Sequence, residues 1–168
     1  MYLLDANTYI QAKNLYYQLD FCPAYWDFLD QQFKTGMLAS IDNVYDELSN
    51  TGDDLASWVR QHKTHFHPIE SEQVQQQYTA IVNHIAALPN KSRASVDAFL
   101  DSADPWLIAT ATLTGEVVVT QEVLVAHNSH KIKIPNVCKE FSVQYMDTFH
   151  MLKELKELKE LKARFVLP

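Results

Sequence analysis

Glycine is scarce: three occur in 168 residues, and neither G-x-x-x-x-G-K-[ST] nor G-x-G-x-x-G is present. That excludes the glycine-lined phosphate loops of nucleotide-binding folds. Cysteine is nearly absent too. Cys22 and Cys138 are far apart in sequence, which argues against a disulfide framework and for a reduced, cytoplasmic setting. Both are expected to be small buried apolar groups. No G-x-S-x-G occurs and neither cysteine has a suggestive neighbour, so a serine or cysteine nucleophile is unsupported. No apolar run approaches the ~20 residues a membrane helix needs. The opening MYLLD lacks a basic stretch and is stopped by Asp5, so no targeting segment is expected. Positive charge is also short. Fourteen Lys and Arg stand against 21 Asp and Glu, a net charge of −7. A nucleic-acid binder is ordinarily basic. The deficit counts against that class unless the acids gather at a metal site, where bound cations neutralise them.

What is present suits one domain with one core, with 47% hydrophobic residues and 21% charged. Strand-like and helix-like patterns alternate, which predicts an α/β fold with a mostly parallel sheet. Residues 1–5, 37–41 and 116–120 (EVVVT) read as buried strands, with a short one at 66–69 and a last one at 131–134 (KIKI). Helices are expected over 24–34, closed by Gly36, then after Asp42 as N-cap, from Asp53–Asp54, over 71–87 and over 92–100. Asp104–Pro105 opens another that ends at Gly115, since a first-turn proline lacks only an N–H that has no helical partner. Pro135 opens one through Phe141.

The end differs in character. Residues 152–162 read LKELKELKELK. A period of three does not match ~3.6 residues per turn, so Leu152, Leu155, Leu158 and Leu161 drift round a helix. Lys153/Glu157 and Lys156/Glu160 are pairs four apart, in the weaker orientation. We expect one domain over 1–148 and a helical tail over 149–168. The tail either lies over the domain or offers an apolar surface to a partner chain.

In open parallel sheets, ligands gather beyond the carboxyl ends of the strands. Asp5 ends the first strand. Glu47 lies on the helix after the second. Asp104 opens the helix before EVVVT, and Glu122 follows that strand. If the strands are neighbours, these four carboxylates can converge. Together they would repel unless protonated or bridged by cations. Carboxylate oxygens favour hard ions such as Mg²⁺ or Mn²⁺, which serve phosphodiester hydrolysis. Taken singly, each acid has an ordinary explanation: a turn residue, an N-cap, a solvated helix acid or a loop acid.

LLDANTYI resembles the opening motif of PIN domains, an apolar strand ending in Asp. DELSNTGDDLASW resembles the second acidic region, ADPWLIATA the third, and VVVTQE the fourth, in which Thr follows a strand and an acid lies two positions on. The likeness runs from Met1 to about Phe141. It is to a bacterial PIN-like family otherwise known as a domain of unknown function, related to the VapC ribonuclease toxins. The resemblance implies a three-layer α/β/α sandwich. It implies a metal-dependent endoribonuclease, leaving 5′-phosphate and 3′-hydroxyl ends, that acts as the toxin of a type II toxin–antitoxin pair. It implies that Asp5, Glu47, Asp104 and Glu122 are catalytic and hold one or two Mg²⁺ or Mn²⁺ ions. Asn7 and Thr120 match supporting polar positions, and Asp101 could be an auxiliary ligand. Two departures stand out: Ala6, where many relatives carry Thr, and Glu122, where many carry Asp.

The expected partners are RNA, a cognate antitoxin covering the acidic cleft, and a second copy of the chain as an open alternative; no membrane is expected. Basic residues in three groups could meet phosphates. One is Arg60, His62, Lys63, His65 and His67; another is Lys91 and Arg93; the third is His127, His130, Lys131 and Lys133. Trp26, Trp58 and Trp106 could stack bases but suit a core equally. The run HKTHFH invites a zinc reading, yet no fourth ligand lies at useful spacing. Two rival functions stay open: a structure-specific DNA nuclease of the same fold, and a PIN-like module that binds or regulates without catalysis.

Overall fold

The computed structural model describes residues 1–159, the side chains of 156–159 excepted. Five parallel strands form the central sheet: β1 (Tyr2–Leu4), β2 (Leu38–Ile41), β3 (Phe66–His67), β4 (Val117–Val119) and β5 (Tyr145–Met146). Their order is β3-β2-β1-β4-β5. With helices packed on the sheet, the fold is a three-layer α/β/α sandwich; the alternation of patterns predicted the α/β class and the PIN-like resemblance the layers. The strands are short continuous apolar runs because both faces are covered; every residue of β1 and β2 is buried.

The order has a physical consequence. The chain moves outward from β1 to β2 and β3, then returns to lay β4 on the other side of β1. The direction of winding reverses between β1 and β4, and in such sheets a crevice opens there, beyond the strand ends. Register pairs Leu4 with Val119, and the Asp5 N–H donates to the Val119 carbonyl at 3.0 Å. Thus the residues just past Leu4 and Val119 meet at the crevice.

The helices are α1 (Ala6–Gln11), continued by a π-helical turn over Ala12–Tyr16, α2 (Pro23–Lys34), α3 (Asp42–Ser49), α4 (Asp54–Gln61), α5 (Glu72–Ala87), α6 (Arg93–Leu100), α7 (Asp104–Thr114), α8 (Ile134–Glu140) and α9 (Thr148–Lys159). Helix α7 is the hub of one packed group, touching α5, α6, α8 and β4. Its small, apolar face explains this: Leu107, Ile108, Ala109 and Ala111 are buried. Gly36 ends α2 as expected. At φ +70° it takes the left-handed conformation that costs glycine little. The N–H groups of Gly36 and Met37 then satisfy the last carbonyls, at Phe33 and Gln32, closing a Schellman motif. Asp42 is the first residue of α3 rather than its cap, a shift of one position.

One expected strand is absent. Residues 131–133 join no sheet, although Lys133 itself is extended. Ile132 and Ile134 are buried, which produces the strand-like alternation. The Ile132 N–H, however, goes to the Ser95 hydroxyl at 2.8 Å instead of a ladder. The fifth strand is Tyr145–Met146, too short to leave a periodic signal.

Helix α9 packs on the domain. Met151 and Leu155 are fully buried in the common core, each contributing roughly 1.5–3 kcal/mol by burial, while Leu152 is half-buried. The Tyr2 hydroxyl donates to Glu154 at 2.7 Å, tying α9 to the first strand. Leu158, Leu161 and the pairs Lys153/Glu157 and Lys156/Glu160 lie outside the described residues and side chains.

Candidate functional site

Asp5 is the residue where β1 gives way to α1, and it is buried, with 1% exposure. The Thr120 hydroxyl donates to its carboxylate at 2.8 Å, across the β1/β4 crevice, and the Asn7 backbone N–H adds a second bond. The Asn7 contribution is therefore made by its main chain. Burial nevertheless pushes the Asp5 carboxyl up to about 6, with Glu122 and Glu47 adding like charge.

Asp104 opens α7, with Pro105 in the first turn. Its carboxyl is pushed up further, to about 8, first by burial and then by Asp5, Glu122 and Glu47 in that order; the Ser102 hydroxyl opposes the rise. The four acids proposed from sequence therefore feel one another. They come from the ends of β1 and β4, from α3 and from the start of α7.

The two glutamates are differently held. Glu47 is exposed on α3, and its Oε1 accepts the Ala103 N–H at 2.6 Å. It satisfies a donor that the start of α7 would leave open. Glu122 meets the Lys133 ammonium through Oε1 and accepts the Ile134 N–H at 2.8 Å through Oε2. The Thr120 hydroxyl that donates to Asp5 also accepts the Glu122 N–H at 3.1 Å. One threonine thus links two of the acids. Asp101 sits exposed at the C-cap of α6.

No three carboxylate, imidazole or thiol groups among the described residues are already spaced to hold a metal ion. The reason lies in the partners just named, which turn Glu122 toward Lys133 and Glu47 toward Ala103. Asp5 and Asp104 remain, and among the described residues neither carboxylate is in an ion pair. Two crowded, sheltered carboxylates with like charges nearby are a donor set that suits a hard divalent ion.

Most of the basic candidates are employed elsewhere. Arg60 donates to the Ser49 carbonyl at 2.6 Å, and Lys63 lies over the Tyr45 ring at 5.2 Å. Lys91 donates to the Ser129 carbonyl at 2.8 Å. Arg93 is almost fully exposed beside Asp97, and Lys131 is exposed. Lys133 alone of the six is brought to the acids. His62 and His65 converge on Asp30, at 3.7 and 3.1 Å, while His67 is exposed on β3. Burial pushes His65 down to about 4, with His62 adding to the fall. Trp106 stacks on Tyr78 at 3.7 Å, Trp58 on His62 at 4.2 Å, and Trp26 is buried.

Sequence reasoning missed two participants and read a third, Cys138, correctly as a buried apolar group. Ser102 and the Ile134 N–H act on the acids from positions that carry no motif. Cys138 lies fully buried on α8, close enough for Asp104 and Asp5 to help burial push its thiol up to about 12. Such a thiol is an inert packing group.

The profile of the domain of unknown function DUF4411 matches residues 2–158. This chain is a member of the DUF4411 family. The match takes in all four acids, the strands that place them and most of α9, so the DUF4411 unit includes the helix that begins at Thr148. No curated protein and no solved structure matches the DUF4411 chain.

Proposed function

We propose that the chain is a divalent-metal-dependent endoribonuclease of PIN-like type. The observation that carries this reading is the mutual electrostatic pressure among Asp5, Asp104, Glu122 and Glu47 at the β1/β4 crevice. Strongly raised carboxyls in a crevice are expensive to maintain and cluster at functional sites. Asp5 and Asp104 would hold the ion, with Glu47 near enough to act on both. A bound Mg²⁺ or Mn²⁺ supplies charge that neutralises a phosphodiester and promotes ionisation of water.

The chain's own residues do the remaining work. Thr120 and the Asn7 N–H hold the Asp5 carboxylate in one orientation. Glu47 anchors the start of α7 and so fixes where Asp104 stands. Lys133 keeps a positive charge at the acids, where a phosphate would lie.

Digestion of matched RNA and DNA oligonucleotides with Mn²⁺ tests the proposal. Cleavage of RNA by the wild type, and none by Asp104→Asn, is the expected outcome. Cleavage of DNA alone assigns the structure-specific alternative. Cleavage of neither, by a folded chain that binds Mn²⁺, leaves a binding or regulatory module.

A further inference from the structure

We propose that Lys133 stands where a second cation would otherwise be needed, so that the pocket takes one divalent ion plus one ammonium group. The inference rests on the divalent-ion reading above and deepens it.

Three observations carry it. First, both oxygens of Glu122 are engaged, one by the Lys133 ammonium and one by the Ile134 N–H. A second ion would need at least one of them. Second, the pair is sheltered: the side chains are 32% and 13% exposed. Separating it would leave a poorly solvated charge on each side, which is costly. Third, the pairing is built into the backbone. Lys133 is the N-cap residue of α8, in extended conformation, directly before Ile134. Side chain and following N–H therefore close on one carboxylate together. The intervening loop is pinned as well. The Asn136 carboxamide accepts the Val125 N–H at 3.1 Å and donates to the Val125 carbonyl at 2.9 Å.

Among the described residues neither Asp5 nor Asp104 is in an ion pair. Of the three more sheltered acids, Asp5 and Asp104 are left to take up a divalent ion, while Glu122 serves as the counter-charge that holds Lys133 in place. Lys133 is then a positioning residue for charge, and an ammonium shifted toward a phosphate would neutralise it without a second metal.

The test is Mn²⁺ stoichiometry of the full-length protein, read by paramagnetic resonance of free Mn²⁺ and by calorimetry. The wild type is expected to bind one ion. Lys133→Arg keeps one, Lys133→Met gains a second, and Glu122→Gln still binds one. Two ions in the wild type, a single ion in Lys133→Met, or loss of the ion in Glu122→Gln overturns the inference while leaving the nuclease reading intact. No ion in the wild type, with Asp104→Asn indistinguishable from it, overturns the divalent-ion reading itself. Because the wild type and Glu122→Gln decide independently of Lys133→Met, a failure of that variant to fold does not shelter the proposal.

Discussion

Asp104 and Asp5 are carboxyl groups that burial and neighbouring acids make reluctant to ionise. The carboxyl of Asp5 rises to about 6 and that of Asp104 to about 8, against about 3.8 in an unfolded chain. The stability these groups contribute is full below about pH 4. It is lost as pH rises through the two raised values, because the unfolded chain gives up its protons first. In chelator, the melting temperature should fall between about pH 4 and about pH 8 on account of these groups. Asp104→Asn should flatten the upper part of that fall, and saturating Mn²⁺ should remove most of it. Thermal scans across pH, with and without the ion, check this; a wild-type midpoint that climbs through the window in chelator counts against it. Thr120→Val removes the hydroxyl that donates to Asp5 and accepts from Glu122. We expect about a tenfold loss of Mn²⁺ affinity by calorimetry, the lower end of what loss of such a supporting bond costs. At this scale the acids were legible because a carboxylate after an apolar run is visible in the sequence. Ser102 and Ile134 were not, since a main-chain N–H or a common serine gains its role only from what folds beside it.

Elements show which of these residues are structural as well. Glu47 does for α7 what an N-cap side chain does, from another helix. Glu47→Ala should cost about 1 kcal/mol, the ordinary cost of losing a cap, whereas Glu47→Gln, which keeps an acceptor, should cost less. Urea denaturation separates them, and equal losses would sink the capping role. Leu155 is fully buried in α9. Leu155→Ala should therefore cost roughly 2–5 kcal/mol, measured the same way; a loss below about 1 kcal/mol would mean that the helix does not pack on the domain. The long elements were legible because periodicity accumulates over many residues, as in α5, and because Asp–Pro and Gly115 punctuate α7. The strand expected at KIKI was misplaced for the converse reason. Ile132 and Ile134 are both buried, but by helices and loops rather than as a sheet edge. Two-residue β5 owes its existence to pairing with β4 alone.

For the whole molecule, the strand order is what local patterns could not show. Apolar runs announce strands, but they do not say that β1 lies between β2 and β4, and that placement brings Asp5 to Thr120. The partner proposal belongs at this scale too. If the chain is the toxin of a pair, expression alone should arrest growth, and Asp104→Asn should abolish the arrest; growth curves of cells making folded protein check it. Harmless accumulation of the wild type counts against the toxin role but leaves the nuclease chemistry standing.

The hydrogen bond between Thr120 and Asp5 spans 115 positions, and its consequence is one of timing. A chain leaving the ribosome exposes Asp5 well before Thr120, Lys133 and Ile134, the groups that hold Asp5 and Glu122. Until then the crevice has one wall. A prematurely terminated product that lacks β4 and α8 is therefore incapable of the chemistry proposed here, whatever its abundance. On the nuclease reading, the site closes only once β4 and the start of α8 have both emerged.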